Sequence, residues 1–291
     1  MRFINKEGYN PKEWQKEQRL KLIALRTSIN KTERTQFFSV AENKTWNRHK
    51  SAFEKLGHGK CWFTEANATV SDYAIEHFRP KNKTDLIRSK DDYHERRITP
   101  DINGYWWLAY ELDNLRLAAY KPNQLKACYF PLRSDSAIAT ADNNSWRREL
   151  PILLDPCVQS DVYLLTFDGI EPIPSNTDPT SIEHIRARIS IKIFGLKHDR
   201  LKKARARLFE EIKNYYRNCE RNWDAMQNFD GIHIEAYQLA FENFSDNCVN
   251  LVDILRPDKQ FTRMTLAFLK GMNKQWVEEY ILKIASDKKY I

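Results

Sequence analysis

Apolar residues along this chain follow two spacings, and the change between them separates a strand-bearing part from a helical one. After Pro179, Ile182, Ile185, Ile189 and Ile193 recur at three- and four-residue intervals, which places them on one face of an α-helix. Thr180 with Glu183 reads as a capping box, in which hydroxyl and carboxylate satisfy each other's free backbone N–H groups, and Gly195 is a stop. A second helix is expected from about Arg200, with Leu201, Ala204, Leu208 and Ile212 on one face. Residues 232–245 and 260–287 read as two or three more, broken near Gly271. Near the start, 11–28 and 44–56 are also rich in helix formers.

Between Gly57 and Leu132 the pattern is different. Short apolar and aromatic runs alternate with a long polar loop around 82–103, and then comes a helical stretch. Residues 134–150 read as loop. In 150–170 two short apolar runs flank polar residues and Asp168-Gly169 marks a turn, so strands are expected there. The fold class is therefore α+β.

The chain has 291 residues and a formal net charge of +8, which favours an acidic partner without saying which. No run approaches the roughly 18 apolar residues of a membrane span, and the N-terminal stretch lacks a secretory pattern, so no membrane partner and a cytoplasmic location are expected. The five cysteines, Cys61, Cys128, Cys157, Cys219 and Cys248, are scattered with no CxxC pair, and read as reduced thiols.

Chemistry is carried by a few residues. Glu76-His77 ends an alternating Tyr73–Ile75 run that suits a strand, and a local bend would let both side chains reach one site. Phosphodiester hydrolysis wants such a pair: a hard cation needs oxygen ligands, and a neutral imidazole can take a proton from water. Alone the pair is a weak signal, since a histidine beside a carboxylate is more often structural. Asn114 and Asn123 are amides that can ligate a hard metal or hold a loop, and each by itself reads as a loop or cap residue.

In sequence order these pieces resemble one family. IEHFRPK (75–81), YWWLAYELDNL (105–115), PNQLK (122–126) and FPL (130–132) are similar to the HNH endonucleases of the PtuB type, found in Septu antiphage systems and in retrons with the same effector pair. The likeness continues through LLDPC (153–157), the Phe167-Asp168-Gly169 turn and FGLKHDRLKKAR (194–205). The resemblance implies a ββα-metal (HNH, His-Me finger) core embedded in a mainly helical chain. It assigns His77 as general base, Asn114 as the asparagine that steadies it, and Glu76 and Asn123 as ligands of Mg²⁺ or Mn²⁺. Arg79, Lys81 and Lys126 match basic positions able to meet a phosphate.

Members of the family often hold a structural zinc with two CxxC pairs. Here those positions read Cys61…Thr64 and Ala119…Pro122, and one thiol cannot make a four-ligand site. No structural zinc is expected; packing of Trp62, Phe63, Ala119 and Pro122 is expected to replace it. The resemblance also implies a PtuA-type ABC ATPase as partner, with a retron reverse transcriptase and its DNA–RNA hybrid in retron versions. No GxxxxGK[ST] loop occurs in this chain.

Residues 186–207 hold nine Lys or Arg against one acidic residue, Asp199, and Lys202, Lys203 and Arg205 are candidate phosphate contacts. The expected organisation is a helical region over 1–56, the nuclease core over 57–133, an extension with basic helices over 134–215 and a helical region over 216–291 that could dock a partner. The substrate is DNA, or RNA such as tRNA. The competing reading is a catalytically weak subunit that binds or targets nucleic acid within the ATPase assembly.

Overall fold

Helices account for most of the computed structural model, which describes residues 1–9, 11–27, 30–67, 72–85, 97–98 and 103–291. Much of the polar loop expected around 82–103 lies outside those residues. The chain divides into two compact units, Met1–Leu165 with Pro174–Leu196, and Thr166–Ile173 with Lys197–Ile291.

The first unit begins with α1 (Lys12–Arg26) and α2 (Lys31–Ser39), the latter capped by the Asn30 side chain, which accepts from the Glu33 N–H. A 3₁₀ turn, Thr45–His49, leads into α3 (Lys50–Leu56). Two antiparallel strands follow, β1 (Ala74–His77) and β3 (Leu115–Ala118), paired Ala74 with Ala118 and His77 with Leu115. Between them β2 (Arg97–Ile98) pairs with β4 (Leu132–Arg133) in a second small sheet. Directly after β3 comes α4 (Tyr120–Lys126), whose Pro122 lies in the first turn, where a backbone N–H has no helical partner to lose. A short helix α5 (Gln159–Val162) and strands β5 (Leu165–Asp168) and β6 (Glu171–Pro174) precede α6 (Ile182–Ile193).

The β1–β3 pair lies between two apolar clusters. Ile75, Leu115 and Leu117 join Trp14, Phe38, Trp46, Phe53 and Trp62 on one side. Phe78 and Ala118 join Phe63, Tyr105, Phe130, Leu153, Ile185 and Phe194 on the other. The expected replacement of zinc by one apolar patch is thus split: Trp62 stacks on Phe53 in the first cluster, while Phe63 stacks on Phe194 in the second, with Ala119 packed at its edge.

In α6 the predicted stripe holds, with Ile185, Ile189 and Ile193 buried. The cap is displaced by one residue: Ser181, not Thr180, accepts from the His184 N–H, because Thr180 is turned into a hydrogen bond with Asp178. The second unit comprises the β5–β6 hairpin, α7 (Asp199–Gln227), α8 (Ile234–Ile254), α9 (Thr262–Gly271), and a final helical run of α10 (Gln275–Val277), a π-turn at Glu278–Leu282 and α11 (Lys283–Asp287).

Candidate active site

Strand alternation decides where the Glu76-His77 pair points. Consecutive side chains on a strand leave on opposite faces, so His77 goes with Ile75 toward the aromatic cluster and Glu76 goes toward α4. His77 lies edge-on to Trp46 at a centroid distance of 4.9 Å. Glu76 lies 2.6 Å from the Lys126 ammonium. Lys126 links the two residues, reaching the Glu76 carboxylate and, at 3.0 Å, the His77 backbone carbonyl.

The imidazole of His77 is held in one tautomer. Its Nε2 sits 2.9 Å from the Ala109 carbonyl oxygen, and a carbonyl only accepts, so Nε2 carries the proton and Nδ1 keeps the lone pair. Burial first, then the charges of Lys81 and Lys126, push its pKa well below 6.5, against the pull of the Ala109 carbonyl. The ring is therefore neutral, as a proton acceptor must be before it acts.

Asn114 explains how the chain holds its course after His77. The residue is fully buried. Its Oδ1 accepts from the Arg79 N–H at 2.7 Å, and its Nδ2 donates to the Arg79 carbonyl at 3.0 Å and the Leu108 carbonyl at 3.2 Å. Its backbone carbonyl accepts from the Phe78 N–H at 2.8 Å. One amide thus clasps the segment leaving β1 and the segment leading to Ala109, the two that fix the imidazole.

Asn123 is half-buried on α4, one turn before Lys126, the residue of that helix that reaches Glu76. Lys81 is half-buried over the Trp46 ring at 5.1 Å; burial lowers its pKa, and the charges of Glu76 and Lys126 both act on it. Glu76 and Asn123 are oxygen donors of the kind Mg²⁺ accepts, since that ion binds through one or two carboxylates, keeps waters and takes substrate phosphates. Among the described residues no group of three or more His, Cys, Asp or Glu forms a closed cage.

Over 166 residues, 56% of this chain and 52% of its counterpart, the sequence is 29% identical to the Septu protein PtuB of Bacillus mycoides (strain KBAB4). The chain is a relative of PtuB. It is also 26% identical over 157 residues to the Septu protein PtuA of the same organism, covering 54% of this chain and 20% of PtuA. The matched stretch spans about half the length of PtuB and a fifth of PtuA. No family model matches the chain.

Several basic residues expected on phosphate, Arg79 and Lys126 from the resemblance and Arg205 from the basic stretch of 186–207, are buried. Arg79 is buried; its Nε donates to Glu149 at 2.8 Å, its Nη2 to the Trp146 carbonyl at 3.0 Å, and its guanidinium lies 5.1 Å from the Phe130 ring. Lys126 is buried and committed to Glu76. Arg205 is buried between Phe167 and Phe261 at 5.2 and 5.4 Å, so burial overturns its expected phosphate contact. Lys202 is exposed but paired with Glu171 at 2.6 Å, and Lys203 faces solvent.

Sequence reasoning missed Glu149, which also accepts from the Tyr105 hydroxyl at 2.8 Å and the Ala139 N–H at 2.9 Å. It sits in a polar stretch with no periodicity, so nothing local marks it as buried. It also missed Trp46 and the buried Arg116–Asp155 pair. Burial opposes the charge of Asp155, but the Arg116 guanidinium holds its carboxyl below the usual range.

Proposed function

We propose that the chain is a metal-dependent HNH endonuclease, hydrolysing phosphodiester bonds as the effector of a Septu-type antiphage defence system beside a PtuA-type ATPase. The observation that carries this reading is the β1–β3–α4 order with Glu76-His77 at the end of β1, the imidazole locked on Ala109 and the exit loop clasped by Asn114. A structural histidine could make the same carbonyl contact, but it would not need a neighbouring carboxylate, a buried amide and an asparagine-bearing helix after the second strand.

In this mechanism His77 Nδ1 takes the proton of the attacking water, and the Ala109 carbonyl stabilises the imidazolium that results. Asn114 holds the Arg79 backbone and the Leu108 carbonyl, one residue before Ala109. Lys81 supplies positive charge near the reacting phosphate, held over Trp46. A bound Mg²⁺ or Mn²⁺, held by Glu76 and Asn123, would supply Lewis-acid stabilisation of charge on the phosphate and the leaving oxygen. The substrate is DNA, or RNA such as tRNA, and in a retron setting a reverse transcriptase and its DNA–RNA hybrid would join the assembly.

A second reading is a binding or targeting subunit with little catalysis. It draws on one observation, that the charge of Glu76 is already met by Lys126. Phage plating on cells that carry this gene beside a PtuA-type gene separates the two. Protection that vanishes in His77→Ala, with the variant protein still at wild-type levels, supports the nuclease. Full protection by His77→Ala supports the platform.

A further inference from the structure

Lys126 has a property that a phosphate-binding lysine does not need: its side chain is almost wholly shielded from solvent. Its ammonium spans 2.6 Å to Glu76 Oε1 and 3.0 Å to the His77 carbonyl, so one cation ties together the two residues of the motif. Burying an ammonium is unfavourable unless an opposite charge compensates it. Here the compensating carboxylate is the one that a divalent cation needs. Lys81 adds a second positive charge close enough that Glu76 and Lys126 both act on it. In a site of low dielectric, one carboxylate cannot hold an ammonium and a divalent cation equally well, because the two cations repel each other strongly at contact distances. Each phosphate of a nucleic acid brings a further negative charge, which relieves that repulsion.

We infer that Lys126 is the resident counter-ion of Glu76: a positioning residue that holds the carboxylate in place and keeps the free protein's affinity for a divalent cation low until a substrate phosphate arrives. This rests on the proposed role of Glu76 as a metal ligand. It assigns Lys126 a task different from direct phosphate contact, and it makes cation uptake depend on substrate.

The test uses Mn²⁺ alone, with the full chain and no nucleic acid, reading free Mn²⁺ by electron paramagnetic resonance. Wild type should bind weakly. Lys126→Met and Lys126→Gln remove the competing charge and should bind at least about tenfold more tightly. Lys126→Arg keeps the charge and should stay within about twofold of wild type. Circular dichroism establishes which variants fold, since Lys126→Met leaves a buried carboxylate without its partner; Lys126→Gln keeps a hydrogen-bond donor there. Unchanged or weaker Mn²⁺ binding by a folded neutral variant overturns the inference. A measurement on the unaltered protein is independent of how variants fold: titrating Mg²⁺ into wild type should move the Lys126 ¹⁵Nζ resonance as the ammonium leaves Glu76, and a resonance that stays put at saturation overturns it as well. An inactive wild-type protein with the predicted affinity series would sink the nuclease reading and spare the competition of Lys126 with a divalent cation for Glu76.

Discussion

Arg79 and Lys126 stand in one motif region, and burial gives both of them structural partners. Arg79 is enclosed with Glu149, Tyr105 and Trp146, so its charge is compensated inside the protein. Breaking a buried pair by removing one partner leaves a bare charge and costs about 3–5 kcal/mol. Glu149→Ala should lose that much stability in urea denaturation, and a change below about 1 kcal/mol would show that Arg79 finds solvent. The histidines make a pH prediction. Burial pushes His49 down to about 4 and, with help from Lys81 and Lys126, holds His77 well below 6.5. An unfolded imidazole titrates near 6.5, so below that value the unfolded chain binds protons that the folded chain refuses. Stability should therefore fall as pH drops from about 6.5 toward 4. Thermal melts at several pH values check this, and a melting temperature that is flat across that window contradicts it.

At the scale of elements, the alternating Tyr73–Ile75 run marked β1 locally, whereas a second strand and a helix after it were expected only from what the PtuB resemblance implies; the structure has β3 and α4 there. The lengths of the helices were less legible. Residues 232–245 give only part of α8, which runs to Ile254, since Asn243, Ser245 and Asp246 weaken the periodicity on its exposed side. α2 was missed because its sequence, KTERTQFFS, buries Phe38 alone. The Asn30 cap, not an apolar stripe, marks its start. Near the cysteine-poor end of the core, Trp62 and Phe63 pack into separate clusters. Elemental analysis of purified protein should find zinc far below one per chain; one zinc per chain would refute that packing as the replacement. The position of α4 has its own test. Gly195 has φ +60° and faces Leu125 on α4, and a left-handed backbone costs a residue with a Cβ about 1–2 kcal/mol. Gly195→Ala should lose more than that, because a Cβ there would sit 2.3 Å from Leu125 Cδ1, while Gly169→Ala, where the nearest atom to a new Cβ is Phe209 at 3.8 Å, tests the backbone strain without crowding.

For the whole molecule, the division into two units falls inside the basic stretch that is continuous in sequence. The nine basic residues of 186–207 read as one cluster, yet Arg186, Arg188 and Lys192 belong to the first unit and the rest to the second. Arg186 is spent on Asp161 at 2.8 Å and Arg205 is buried, so fewer charges face solvent than the count suggests. The aromatic residues of 215–244 divide likewise: Tyr216 and Phe244 are core, whereas Tyr237 and Phe241 are exposed. No helix among the described residues is long and apolar enough to cross a membrane. What the sequence could not convey is which charges pair, because ion pairs such as Arg79–Glu149 and Arg116–Asp155 join segments far apart in the chain. General-base catalysis, the role proposed for His77, contributes roughly 10²–10⁴-fold. The most direct measurement is the rate of cleavage of plasmid DNA and of total cellular RNA by wild type and His77→Ala, in Mg²⁺ or Mn²⁺ at low salt, with the PtuA-type partner present. A loss of at least about 100-fold on one of the two polymers, with the variant still folded, is the predicted result. Equal cleavage by both proteins, or none by wild type on either polymer, would contradict it.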